Sequence, residues 1–258
     1  MERSFTRVAR ITRVSSESVF LPIIAFLSRW LWMKLAKAPQ AEFSAMRYLR
    51  SHTTIPIPRP WITFKWNGVD RIIMDRVPGT TLEAIWYDLS LEEKDEYVRQ
   101  LADVIRQLRS LVSPFGERIC SAAGGAFMDH RIQFRPVGPF SNEEEFNEAT
   151  LTYMPEPHPS RQELCHHIRH PVVFTHNDFA IRNVMVKDGR VTGVIDWEGA
   201  GWFPAHWEYV KAHDTNGEGD NVVGAFRPYT ALVVPPYPLE LEADRRWVAP
   251  PRVVYRHY

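Results

Sequence analysis

Cysteine, net charge and membrane-length apolar runs are what this 258-residue chain has little of. Its two cysteines, Cys120 and Cys165, are too few for a disulfide framework and lack C-x-x-C spacing, which points to a reducing compartment, the cytoplasm. Thirty-one basic and thirty-one acidic residues balance to zero formal charge, so no global field draws nucleic acid or an anionic membrane surface. One apolar stretch, "VFLPIIAFLSRWLWM" from Val19 to Met33, follows Arg3, Arg7, Arg10 and Arg13 as a secretory or anchor segment would. It contains Pro22 and Arg29, falls short of the roughly 20 mostly apolar residues of a span, and no small-x-small cleavage pattern follows. A buried helix or strands is expected there.

What is present is enough apolar residue, 45%, to bury a sizeable core in one large domain or two lobes. "PQAEFSAMRYLRSH" starts a helix at Pro39, with Phe43, Met46 and Leu49 on one face and Glu42 in the first turn. "WITFKW" and "VDRIIM" flank Asn67-Gly68, a two-residue hairpin signal. Ser90 and Glu93 form a capping box ahead of the stripe Tyr97, Leu101, Val104, Ile105, Leu108 and Leu111, so this helix should be central to a core. Ser141 with Glu144, and Ser160 with Glu163, predict two shorter helices. After Ala212 periodicity fades and Pro pairs appear in "VVPPYPLE" and "VAPPRVV", so an irregular tail is expected from about residue 213.

The chemistry concentrates in "FTHNDFAIRNVMVKDGRVTGVIDWEGAG", Phe174 to Gly201. "NVMVK" and "RVTGVID" flank Asp188-Gly189, a second two-residue turn. With Lys187 opposite Arg190, a regular ladder puts Asn183 opposite Val194 and makes Asp196 a diagonal same-face neighbour of Asn183, roughly 7–8 Å away. An amide carbonyl and a carboxylate converging on open space suit a hard cation, Mg²⁺ above all, and suit zinc badly. Upstream, His176, Asp178 and Asn183 make H-x-D-x-x-x-x-N, the spacing of the kinase catalytic loop, in which the Asp orients or deprotonates the attacking hydroxyl and the Asn holds metal. A solvated hairpin with a core histidine and a turn-forming Asp would explain any one of these residues. It does not explain a strand, a loop, a hairpin and a facing Asp in this order.

"HNDFAIRN" followed by "GVIDWEGAGWFPAHWEYVKA" resembles the aminoglycoside phosphotransferase (APH)/choline kinase superfamily, especially its fungal APH-domain proteins. "MKLAKAPQAEFSAMRYLRSHTTIPIPRP", "IIMDRVPGTTLEAIWYDLSLEE", "VIRQLRSLVSP" and "GPFSNEEEFN" agree, and the similarity runs from about Trp32 to Ala212. The resemblance implies an α+β, protein-kinase-like bilobal fold with a small β-rich lobe, residues 1–77, and a larger helical lobe, residues 78–258. It implies an ATP- and Mg²⁺-dependent kinase that acts on a hydroxyl of a small-molecule acceptor. Lys34 is then the phosphate-binding strand lysine, with Lys37 its rival, and Glu42 its helix partner; Met74, Asp75, Arg76 and Val77 form the hinge against adenine. Asp178 takes the place of the catalytic base, His176 supports the loop, and Asn183 and Asp196 hold Mg²⁺. Trp197, Trp202 and Trp207 line the acceptor site or, as is commoner for such aromatics, the core.

Two features depart from the family. No glycine precedes Gly68, so the loop ahead of the lysine strand is not Gly-rich, and the Pro-broken tail replaces helices of the large lobe. They motivate the alternative of a pseudokinase that binds nucleotide without transfer. A zinc reading of "CHHIRHPVVFTH" places His166 and His170 on one helix face beside Cys165 but lacks the Glu of H-E-x-x-H.

Overall fold

Local chemistry sets the first helix. Proline in its opening turn carries a helical φ and no amide to leave unsatisfied, and Glu42 sits where the helix dipole is positive. The resulting α1 (Pro39–His52) buries Glu42, Ala45, Met46 and Leu49 on one face. The computed structural model describes residues 30–129, 132–152, 168–213 and 221–245. The arginines from Arg3 to Arg13, most of the Val19–Met33 run, the helix expected after Ser160, and Cys165 with His166 lie outside the described residues.

Before and after α1 in the chain come the strands of an antiparallel sheet, β1 (Leu31–Leu35), β2 (Pro60–Trp66) and β3 (Val69–Asp75), in the order β1-β3-β2. Asn67 and Gly68 join β2 to β3 with φ of 51° and 76°, the paired positive values that a two-residue turn requires. From β3 the chain passes to β4 (Thr80–Thr81), the one-turn helix α2 (Leu82–Ile85) and then α3 (Leu91–Ser110). The Ser90–Glu93 capping box forms reciprocally, and α3 buries Tyr97, Val98, Leu101, Val104, Ile105 and Leu108. At about 1.5–3 kcal/mol for each apolar side chain removed from water, this face makes α3 the spine of the main core.

Against α3 lie two small antiparallel sheets. One has the order β5-β11-β8, from β5 (Cys120–Ser121), β8 (Val172–Thr175) and β11 (Gly201–Pro204); the other has β10-β9-β4, from β9 (Val184–Lys187) and β10 (Arg190–Val194) with β4. A further hairpin, β6 (Phe127–Asp129) and β7 (Gln133–Val137), covers a second apolar cluster that includes Ile119, Phe127, Phe146, Phe203 and Trp207.

Three expectations need correction. The cap of α4 (Glu143–Thr152) falls one residue later than the Ser141–Glu144 pair: Asn142 Oδ1 accepts from Glu145 N at 3.0 Å, while Glu145 accepts from Ser141 N at 2.6 Å. The tail is not irregular from about residue 213. After α5 (Trp207–His213) it forms α6 (Asn221–Val233) and α7 (Pro238–Arg245). Phe226 and Tyr229 of α6 meet the buried Trp86 ring at 5.1 and 5.3 Å, and Val233 is buried, so tertiary burial overrides the low propensity of Pro228 inside the helix. Pro238 stops nothing, because it opens α7.

The third correction concerns the β9–β10 hairpin. Asp188 and Gly189 turn as expected, with φ of 50° and 76°, and Arg190 and Val191 pair with Lys187 and Val186. The register then shifts, so Gly193 pairs with Met185 and Val194 with Val184. Ile195 N donates to Asn183 O at 2.9 Å, which puts Ile195, not Val194, opposite Asn183. The extra residue is Thr192, whose hydroxyl donates to Pro78 O at 2.6 Å. Gly193 next to it lies so close under Val77 that a Cβ would stand 2.5 Å from Val77 Cγ1. Anchored to the segment between β3 and β4, the hairpin accommodates a bulge.

Among the described residues, no helix is long and apolar enough to cross a membrane.

Candidate active site

The bulge breaks the alternation that was to aim Asp196, and its direction is set instead by backbone conformation. Asp196 adopts φ 66°, ψ 57° at the end of β10, a left-handed conformation that Asp tolerates better than most residues. Its carboxylate Oδ1 accepts a 2.6 Å hydrogen bond from Lys34 Nζ. The same ammonium donates to both oxygens of Glu42, at 3.0 and 3.1 Å, and lies 3.4 Å from Glu198. Lys34, on β1, thus ties α1 to a loop 162 residues away. Lys37, the rival, is exposed beyond the strand end.

Burial disfavours the Lys34 ammonium, but Glu42, Asp196 and Glu198 outweigh it and hold the pKa above the ordinary lysine value. For Glu42, with 0% of its surface exposed, burial is the largest influence and pushes the carboxyl up to about 7 against the pull of Lys34; Asp196 and Glu198 add to the rise. The two partners shift the same way because one cation is shared among three carboxylates. Burial also opposes the Asp196 charge, yet Lys34, helped by His176 and Arg182, keeps it below the usual carboxylate range.

The loop after β8 is built from its backbone outward. His176 is buried; Asp178 N donates to its Nδ1 at 3.3 Å, and its Nε2 lies 3.0 Å from Ile195 O. The tautomer with its proton on Nε2 satisfies both contacts. The imidazole thereby links the loop to the residue before Asp196.

Asp178, 46% exposed on its side chain, accepts from Arg182 through Oδ1 at 2.5 Å and from Asn183 Nδ2 through Oδ2 at 2.9 Å. Asn183 Nδ2 also donates to Asp178 O at 2.9 Å. Since both of these bonds use the amide nitrogen, Asn183 Oδ1 remains as the acceptor for a cation. Asp178, Asn183 and Arg182 therefore form one hydrogen-bonded cluster, and the Arg182 charge reaches Asp196.

One residue that the sequence reading passed over holds this loop in place. Glu208 on α5, 2% exposed, accepts from the amides of His176 at 2.6 Å, Asn177 at 3.2 Å and Phe179 at 3.2 Å. Asn177, with φ 69°, makes the bend that turns these amides to one carboxylate. Its Oδ1 accepts from Trp207 Nε1 at 2.9 Å. A signal was available in "WEYV", where an acid stands among large apolar residues, since a buried carboxylate must be paired or hydrogen-bonded. Glu198, also passed over, is the third carboxylate around Lys34.

The remaining candidates are placed as follows. Met74 is buried at the end of β3. Asp75 N and Arg76 N donate to Arg59 O and Trp30 O at 2.9 and 2.7 Å, so both amides are committed within the protein. Val77 packs on Gly193. Trp197, Trp202 and Trp207 are buried and belong to the core, not to a substrate wall.

An antiparallel sheet and helix carrying a lysine–glutamate pair, set against a helical region with an H-x-D-x-x-x-x-N loop, constitute a protein-kinase-like α+β fold. The chain belongs to the phosphotransferase enzyme family (APH), whose model matches residues 33–231. A thermostable mutant of aminoglycoside phosphotransferase APH(4)-Ia, in apo form, is similar in structure, with a TM-score of 0.52, 17% identity, and 84% of each chain covered. The streptomycin–ATP–APH(2")-IIa ternary complex is similar with a TM-score of 0.50 and 16% identity, over 83% of this chain and 75% of that one. No curated protein matches the sequence.

Proposed function

We propose that the protein transfers the γ-phosphoryl group of ATP to a hydroxyl of a small molecule, with Mg²⁺ as the required ion. The observation that carries this reading is the Lys34 ammonium, which meets Glu42 on α1 and Asp196 beside the catalytic loop at 3.0 and 2.6 Å. A cation shared by two carboxylates is positioned to give up part of that contact to phosphate oxygens entering between the β1–β3 sheet with α1 and the rest of the chain. The structural relative solved with ATP and streptomycin supports the choice of donor and acceptor class.

The donor set fits a hard ion, because Asn183 offers a carbonyl oxygen fixed by its own amide bonds and Asp196 a carboxylate held ionised. When bound, Mg²⁺ supplies charge neutralisation at the phosphates. Asp178 would orient the acceptor hydroxyl and take its proton on an oxygen now occupied by Arg182, whose exposed side chain must move aside. His176 and Glu208 keep Asp178 at a fixed height in the site, and Met74, Asp75, Arg76 and Val77 border the adenine. Phosphoryl transfer asks mainly for such positioning. A cytoplasmic location accords with a chain of only two cysteines.

The Arg182–Asp178 ion pair favours a second reading, a nucleotide-binding protein without transfer, since the arginine occupies the carboxylate oxygen that an acceptor hydroxyl would have to reach. Thermal unfolding and turnover separate the two. Mg²⁺ with ATP at about 100 times its dissociation constant should stabilise wild type by about 2.7 kcal/mol and leave Asp196→Ala unmoved. Transfer to a panel of hydroxylated small molecules should fall by about 10²–10⁴-fold in Asp178→Ala. Stabilisation without transfer to any acceptor would establish the second reading; no stabilisation of wild type would remove both.

A further inference from the structure

We infer that Glu143, His170 and His206 form a binding site for a single zinc-class divalent ion, separate from the phosphoryl-transfer site. The three residues arrive from different elements. Glu143 opens α4, His170 precedes β8, and His206 sits at the corner between β11 and α5. One ligand atom from each lies within 4.8 Å of the others. Glu143 Oε1 is 2.7 Å from His170 Nδ1 and 3.6 Å from His206 Nδ1. In a tetrahedral zinc site with bonds of about 2.0–2.1 Å, neighbouring ligand atoms stand about 3.3 Å apart. The Glu143–His206 spacing is near that value, and the Glu143–His170 hydrogen bond has to open by only about 0.6 Å as the ion replaces the Nδ1 proton.

The surroundings supply what a metal site needs beyond its ligands. His170 Nε2 lies 3.0 Å from Glu240 Oε1 on α7, the carboxylate–histidine arrangement that orients a metal-bound imidazole and raises its basicity. Glu143 Oε2 accepts from His170 N at 2.7 Å, which turns Oε1 toward the two imidazoles. The side chains of Glu143, His170 and His206 are all at or below 10% exposed, so these are not the scattered surface groups that seldom bind an ion. Glu143 and His170 also line a cavity of about 420 Å³ with Arg109, Asn142, Asn147 and Arg169, which gives an ion access and leaves room for a water in the fourth position. Two nitrogens and one oxygen are zinc-type donors, unlike the all-oxygen pair of Asn183 and Asp196. The ion would clip the start of α4 to the β8 entrance and the α5 corner, at the opposite end of β8 from the catalytic loop. The Glu240 contact extends that clip to the tail helix.

Zinc uptake by the full chain tests this. After chelator treatment and dialysis against Zn²⁺, elemental analysis should find one zinc per chain in wild type and equally in Asp196→Ala, which separates this site from the nucleotide site. His206→Ala should lose stoichiometric zinc, and Glu240→Gln should keep it with affinity about 10–100-fold weaker. Substoichiometric zinc in wild type, or unchanged binding in a folded His206→Ala, overturns the inference and leaves His170 as the centre of an ion-pair cluster only. If His206→Ala does not fold, Co²⁺-loaded wild type decides. Intense four-coordinate d–d absorption without a sulfur charge-transfer band supports the site; weak six-coordinate absorption, or a sulfur band from Cys165, overturns it.

Discussion

Glu42 and Glu208 are both buried carboxylates of the candidate site, and their charges are compensated in opposite ways. Glu42 faces one lysine side chain that two other acids also claim. Glu208 faces three backbone amides of the loop it supports. Amides fixed in a folded loop cannot leave, so Glu208 acts as a permanent anchor. An ammonium on a flexible stem can be redistributed, so Glu42 sits at a contact that nucleotide can rearrange. The part of the site that must not move is held by backbone, and the part that must respond to substrate is held by side chains.

Removing the anchor should have the largest consequence. Glu208→Ala strands three buried N–H groups, each worth about 1–3 kcal/mol when left unsatisfied, so stability in urea should drop by about 3 kcal/mol or more, and transfer activity should fall with it. Glu208→Gln keeps acceptor capacity on one oxygen but turns an NH₂ toward amide donors, and should recover part of the loss. If Glu208→Ala unfolds at the wild-type urea concentration, the loop is held by something other than these three bonds.

The same contrast explains what could be read from the sequence. Local rules placed Pro39–His52, the Asn67-Gly68 and Asp188-Gly189 turns and the Ser90 capping box, because turn and cap chemistry act within a few residues. The family spacing pointed to Lys34, Glu42, Asp178, Asn183 and Asp196, and the structure joins these in two contacting sets. A regular ladder does not aim Asp196, because Thr192 inserts a bulge. That bulge depends on Pro78 and Val77, more than a hundred residues earlier, and no local pattern reveals it. The tail departs from its local signals for a related reason. Its prolines are local signals of irregularity, whereas α6 is stabilised by Trp86, which is equally remote in sequence.

The cation-held half can be probed through pH, with a smaller effect. The Glu42 carboxyl is raised in the fold to about 7 from 4.5, so between these values the folded state binds more protons than the unfolded one. Stability should therefore decline as pH rises from about 5 to 8, by on the order of 1–3 kcal/mol. Glu42→Gln should lack this share of the slope. Parallel curves for the two proteins would mean that Lys34 alone balances Glu42 and that the shared-cation picture is wrong.

The smallest effect concerns rigidity behind the anchor. Cys120 on β5 lies against β11, where a Cβ on Gly201 would stand 2.2 Å from Cys120 O, and β11 leads directly into the helix that carries Glu208. Burial outweighs the attraction of Arg118 and pushes the Cys120 thiol up to about 11, so at pH 8 only about one in a thousand would be thiolate even if reagent reached it. In a Cys165→Ser background, thiol labelling at pH 8 should wait for denaturant. In Glu208→Ala it should quicken, because loss of the amide anchor frees the strand pair that shields the sulfur. Rapid labelling in native protein would show that β5 and β11 part easily, and the backbone-held half would then be no more rigid than the half held by Lys34.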